Sequence, residues 1–176
     1  DQDEIISSSL RQLLFFYAGA FQLDPVSGIH ATVLVHSSNE ARLDESFTVM
    51  MGTPNDSKKA DDKEYPLAVK LTGKFPTAFP EGKPSATPNP ESGEAPKEED
   101  KGSHLMVSST EGAVVLVGDA DMLHHSIWLE RYDDMFSRQP TYRVKFNNND
   151  LLQNAVSQFS GDENLIHIRA KTVTER

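Results

Sequence analysis

With 176 residues, 27 acidic side chains against 17 basic ones and a formal charge of −10, the chain is long enough for one domain with a core. It is too negative to offer a general phosphate-neutralising surface, so nucleic acid and anionic membranes are poor candidates as partners. The absence of cysteine removes disulfides, thiolate zinc sites and a cysteine nucleophile.

Hydrophobic residues make up only 37% of the chain, but they are gathered in blocks such as 31–35 and 113–117, the pattern of a core diluted by polar connections. No apolar run approaches the roughly 18–20 residues that span a bilayer, and no basic leader opens the sequence. Its start at Asp1 reads as a piece of a longer parent whose signal or anchor lies in the flanks.

In chain order, Ile5, Ile6, Leu10, Leu13, Leu14 and Tyr17 recur at helical spacing, with Asp3 and Glu4 placed for the positive end of that helix. Residues 15–21 fit the end of this helix or a strand. After Gly28, residues 29–36 are rich in β-branched side chains and predict a strand, closed by a polar turn at Ser37, Ser38 and Asn39. A short strand is expected over 47–51, then an exposed connection over 54–64. Residues 67–75 alternate as a half-buried or edge strand would.

Six of the ten prolines fall between Pro76 and Pro96, and the stretch runs on into Glu98, Glu99 and Asp100. Residues 81–103 therefore read as a disordered insertion within one domain spanning 1–176, with a linker between two domains as the alternative. Residues 112–117, running into Gly118, Asp119 and Asp121, form an unbroken apolar block and the clearest segment of the chain, expected to be a strand covered on both faces. Part of 122–138 should be helical. Asn149 or Asp150 can cap a helix carrying Leu151, Leu152, Ala155, Val156 and Phe159 on one side and stopped by Gly161, and 165–168 reads as a last short strand. Strands separated by helices predict an α/β fold, a layered mixed sheet flanked by helices.

Asp119 and Asp121 follow a strand, where open α/β sheets place their ligands, and two carboxylates at this spacing can bind a cation or orient a polar group. They also imitate the Asp-x-Asp of haloacid-dehalogenase-type phosphotransferases, although the later strands that would carry a partner lysine and metal ligands are largely missing. The competing reading is that they cap the next turn and satisfy loop amides. His124 and His125 are neighbours whose side chains diverge on a helix, so a shared metal is not expected. His30, His36, His104 and His167 carry no signal. Ser37 and Ser38 end a strand without the glycine-flanked elbow of a hydrolase nucleophile. Trp128, between Ile127 and Leu129, reads as a core anchor before a ligand platform. No complete catalytic set, cofactor motif or metal centre emerges.

Three blocks occur in order: Leu71-Thr-Gly-Lys-Phe-Pro-Thr-Ala-Phe-Pro80, Val114-Val-Leu-Val-Gly-Asp-Ala-Asp-Met-Leu123, and Leu151-Leu-Gln-Asn-Ala-Val-Ser-Gln-Phe-Ser-Gly-Asp162 followed by Leu165-Ile-His-Ile-Arg169. Together they resemble the auxiliary, substrate-binding-like component of gliding-motility-type ABC transport systems. The resemblance implies an extracytoplasmic α/β domain similar to flavodoxin-like and class I glutamine-amidotransferase folds, in a membrane-anchored parent with a terminal transmembrane segment. It also implies a periplasmic location and, as partners, the ABC permease and ATPase subunits or exported polysaccharide or other cargo. It transfers no catalytic residue, and its Gly-Asp-x-Asp block maps onto Gly118, Asp119 and Asp121 without an assigned role. The proline- and acid-rich insertion departs from the pattern. The expectation is thus a non-enzymatic binding module with Asp119, Asp121, Ser37 and Ser38 as its site residues. A metal-dependent hydrolase or phosphotransferase using Asp119 and Asp121 is the alternative.

Overall fold

A computed structural model of the chain describes residues 5–52, 58–82, 104–133 and 139–161. The chain opens with a single helical turn, α1 (Ile5–Ser8), where a longer helix was expected. Leu10 N–H closes the turn on Ser7 O at 3.1 Å, and Ser7 to Ser9 have only modest helix propensity to carry it further. Beyond them the backbone finds partners elsewhere, so 10–21 runs as an irregular strap and not as a helix or a strand.

Strand β1 (Ile29–His36) follows as expected. Residues expected to be a strand at 47–51 form a short helix instead, α2 (Ser46–Met50). The Glu45 carbonyl accepts from Val49 N–H and Thr48 Oγ1, and Met51 N–H donates to Phe47 O, so the segment closes its bonds locally and needs no neighbouring strand. Strand β2 (Pro66–Gly73) pairs antiparallel with β1, Val33 facing Val69 and His36 facing Pro66, with irregular register after Val33. It is the central strand, not an edge. Its other side pairs antiparallel with β3 (Gly112–Val117), Ala68 facing Val117 and Gly73 facing Gly112. Past the sheet proper, Pro76 bridges Val107, so the strands on either side of residues 83–103 pair with each other. The insertion itself, apart from Glu81 and Gly82, and the expected strand at 165–168 lie outside the described residues.

The apolar run of β3 was expected to be covered on both faces. Among the described residues it is the edge of the three-stranded sheet, and only Val115 and Val117 pack toward the core, while Val114 and Leu116 stay more than a third exposed. An unbroken apolar run signals cover on two faces only when helices flank both, and the described helices leave one face of this strand open.

After β3 come a 3-10 turn (Asp121–Leu123), helix α3 (His125–Trp128), and a second antiparallel pair, β4 (Leu129–Tyr132) with β5 (Thr141–Val144). Helix α4 (Asn148–Phe159) closes the described chain, and Gly161 stops it at φ +77°. The chain is thus α/β, but every strand pairing among the described residues is antiparallel, in two small sheets; a mixed, flavodoxin-like layering is not seen there.

The core gathers Ile6, Leu34, Ala68, Met122, Leu151 and Ala155, with Leu10, Leu13, Phe15 and Val35 laid against it. At roughly 1.5–3 kcal/mol for each large apolar side chain removed from water, this cluster supplies the main drive for folding. Helix α4 buries Leu151 and Ala155 as expected, but turns Leu152, Val156 and Phe159 to solvent. Its inner face is shared with Asn148, Asn154 and Ser157, because the strap it packs against is bare backbone that needs hydrogen-bond partners.

Those partners are asparagines. Asn148 Oδ1 accepts from Leu14 N–H at 3.0 Å while its Nδ2 donates to Leu14 O at 2.7 Å, imitating one rung of a sheet. Asn147 N–H donates to Gln12 O, and Asn154 Nδ2 donates to Ile6 O at 3.1 Å. Neither Asn149 nor Asp150 caps the helix: Asn147 holds the cap position, and its Nδ2 donates to Asp150 Oδ2.

The connection over 37–65 is stapled at its base. Tyr65 N–H donates to Ser37 Oγ, Ser37 N–H donates to Tyr65 O, and the Tyr65 hydroxyl donates to Asp61 Oδ2 at 2.7 Å. Asp61 also accepts from Leu43 N–H. The hydroxyl of Tyr65 and then the Leu43 amide hold the Asp61 carboxyl below the usual carboxylate range, and the same bond to Asp61, followed by desolvation, raises the Tyr65 phenol. The lowered carboxylate stabilises the fold above its unfolded pKa, and that contribution is lost as pH falls through its folded value. The raised phenol stabilises below its unfolded pKa and loses that contribution as pH rises through its folded value. Tyr65→Phe is therefore expected to lower the melting temperature near neutrality. Its curve should merge with wild type once pH passes below the Asp61 pKa or above the Tyr65 pKa, which thermal melts across pH will read.

Candidate functional site

Because β1 and β3 both run antiparallel to β2, their C-terminal ends meet at the start of β2. Ser37 and Ser38, after β1, and Asp119 and Asp121, after β3, therefore lie at one end of the sheet. Sequence distance hid this proximity; only the strand order creates it.

Asp119 is 8% exposed. Its Oδ1 accepts from Asp121 N–H at 2.8 Å and Met122 N–H at 3.1 Å, and its Oδ2 accepts from Phe16 N–H at 2.7 Å. One carboxylate thus caps the 3-10 turn and grips the strap from the other side, three of its roughly four lone-pair positions being used. Next to it, Gly118 accepts from Gly19 N–H at 2.7 Å and donates to Leu67 O. The strap is held so closely that Tyr17 takes a left-handed conformation, φ +56°, and Phe16 and Tyr17 stand exposed with their rings 4.6 Å apart. Asp121 is exposed.

Ser37 Oγ donates to Ser38 O and accepts from Tyr65 N–H, so its hydroxyl serves the turn. Ser38 is exposed and offers its carbonyl to Ala41 N–H. Beside this end an open groove of about 420 Å³ runs between strap and sheet, with Leu10, Leu13, Phe15, Val35, His36 and Leu67 along it. His36 sits 3.5 Å from the Glu64 carboxylate.

His124 and His125 do not diverge as helical neighbours would: His124 is extended, at φ −65° and ψ 131°, and the two rings lie 4.4 Å apart. His124 Nδ1 is 2.7 Å from Ser126 Oγ, and among the described residues no three His, Cys, Asp or Glu side chains gather as a metal site. Trp128 is half-buried and donates from Nε1 to Leu123 O. The residues that sequence reasoning missed are Asn147, Asn148 and Asn154, which position the strap. The signal was present as amides on the same helical face as Leu151 and Ala155.

Residues 1–155 match the model of a family described as an ABC-type uncharacterized transport system. No curated protein matches, and no solved structure does. Among the described residues no helix is long and apolar enough to cross a membrane.

Proposed function

This chain belongs to the ABC-type uncharacterized transport system family, and from that premise we propose that it is a non-catalytic, periplasmic auxiliary module of the gliding-motility type. In this reading one domain spans 1–176, of flavodoxin-like layering, in a membrane-anchored parent. It binds the ABC permease or ATPase subunits, or exported cargo such as polysaccharide, at the Ser37–Asp119 end of the sheet. The observation that carries the reading is the use of the Asp119 carboxylate. Three backbone amides occupy it, which leaves a poor nucleophile and supports a positioning role over the phosphotransferase alternative. Ser37 is likewise engaged by backbone, while Ser38 and Asp121 are exposed and available to a partner. The three sequence blocks support the gliding-type and periplasmic assignments.

The test is capture from membranes with the full-length parent, followed by mass spectrometry. Recovery of a permease or ATPase, reduced about tenfold by Ser38→Arg with Asp121→Arg, is the expected result. Recovery unaffected by both changes overturns the assigned surface, and no transporter subunit in the eluate overturns the function. A parallel assay with p-nitrophenyl phosphate and Mg²⁺ is expected to show no turnover; a rate abolished by Asp119→Asn would establish the enzyme instead.

A further inference from the structure

The strap carries two aromatic rings in a conformation that its own stability does not ask for. At Tyr17 the backbone enters the left-handed region, φ +56°, which any side chain with a Cβ resists and which a bulky residue rarely adopts. Phe16 and Tyr17 are 54% and 68% exposed, their rings edge to face, 4.6 Å apart and inclined at 66°. Neither packs on the core, although Phe15 beside them does.

The rings stand on a fixed base. Phe16 N–H ends on Asp119 Oδ2 and Gly19 N–H on Gly118 O, both at 2.7 Å, so the residues flanking Tyr17 are tied to the end of β3. Strain locked in place by such bonds, with large apolar side chains left in water, is a property of surfaces shaped for binding.

The charge beside the rings selects what they hold. Asp119 Oδ1 accepts from Asp121 N–H at 2.8 Å, so the backbones of Phe16 and Asp121 meet across one carboxylate. Asp121 is exposed, and among the described residues its side chain accepts no hydrogen bond and joins none of the ion pairs. An anionic ligand would meet this carboxylate and the field of a chain of net charge −10. A purely apolar one would leave it unmatched. A planar guanidinium suits both parts, because it stacks on a ring face and donates to a carboxylate from its edge. We propose that Phe16, Tyr17 and Asp121 form a recognition site for an arginine side chain presented by a partner protein. The inference deepens the binding role given to this end of the sheet and rests on it.

The probe is N-acetyl-arginine amide, titrated into the whole chain and followed by backbone amide chemical shifts. A single stacked ion pair is expected to bind in the millimolar range. Shifts should concentrate on Phe16, Tyr17 and the turn from Asp119 to Met122, with the lysine analogue about threefold weaker and the citrulline analogue and methyl glucoside without effect. Asp121→Asn should weaken arginine about tenfold and remove its advantage over citrulline. Tyr17→Gly should weaken it about fivefold; glycine suits φ +56°, so the melting temperature should hold or rise, which separates recognition from folding. Affinity unchanged in both variants overturns the proposal, as do shifts confined to other parts of the chain, an equal response to citrulline, or a response to the glucoside alone. Capture of a transporter subunit by a chain that ignores arginine would sink this inference and leave the transport reading standing. Arginine binding without such capture would do the reverse.

Discussion

Gly118→Ala is expected to lower the unfolding free energy by about 3–5 kcal/mol, one of the largest effects available to a single methyl group in this chain. A Cβ on Gly118 would stand 2.1 Å from Gly19 O and 3.3 Å from Leu67 O. Both obstacles are backbone, so no side chain can swing away. Nor can residue 118 move, because its N–H is held by Leu67 and its carbonyl by Gly19. Relief requires the strap to lift from the sheet end, which uncovers the side chains of Leu13 and Phe15 laid against the core. Gly112→Ala is the control. It lies on the same strand, but its Cβ would meet only the Phe75 ring at 3.4 Å, and a change below about 1 kcal/mol is expected. Urea unfolding of the two variants checks this. A Gly118 variant as stable as the control would mean that the strap is not seated as described.

Asp119→Ala should cost about as much, roughly 3–5 kcal/mol, for a different reason. It leaves the amides of Phe16, Asp121 and Met122 without their acceptor, at about 1–3 kcal/mol for each buried group left unsatisfied, partly relieved by water. Asp119→Asn should fall between alanine and wild type. Its single acceptor oxygen can serve the 3-10 turn or the strap, while its amide group turns donors toward the other N–H. Hydrogen exchange distinguishes the two, since alanine should expose all three amides to exchange and asparagine only one side. Gly118 and Asp119 hold the same strap, so the double variant should lose less than the two single losses added together. A binding defect in Asp119→Asn without any loss of stability would instead make the carboxylate a direct ligand.

The parts of the fold that were legible in the sequence are those that depend on local rules. The β-branched run of β1, the polar turn at Ser37, the strand at β2 and the helix ending at Gly161 all follow from side-chain stiffness, alternation and glycine's tolerance of positive φ. The expected helix over Ile5 to Tyr17 failed because the spacing of apolar residues does not say where the backbone bonds go. Ile6, Leu10 and Leu13 of the periodic set do face the core, while Tyr17 is exposed and Phe15, outside the set, packs inward, from a strap whose backbone bonds go to Asn147, Asn148 and Asp119. An extended chain gripped by side-chain amides can imitate the spacing of an amphipathic helix. The expected strand at 47–51 failed for another reason: its bonds close locally, with Phe47, Met50 and Met51 exposed and only Val49 partly covered.

From its residues alone, then, the chain determined an α/β composition, the positions of its main strands and last helix, a strand-end pair of carboxylates, and an acidity that makes nucleic acid a poor candidate as a partner. Tertiary structure decided what the Asp119 carboxylate holds. Whether a buried aspartate is a ligand or a clamp depends on which amides arrive at its lone pairs. Phe16 arrives from more than a hundred positions away, brought there by strand order and by asparagines on α4, and no local pattern encodes that meeting.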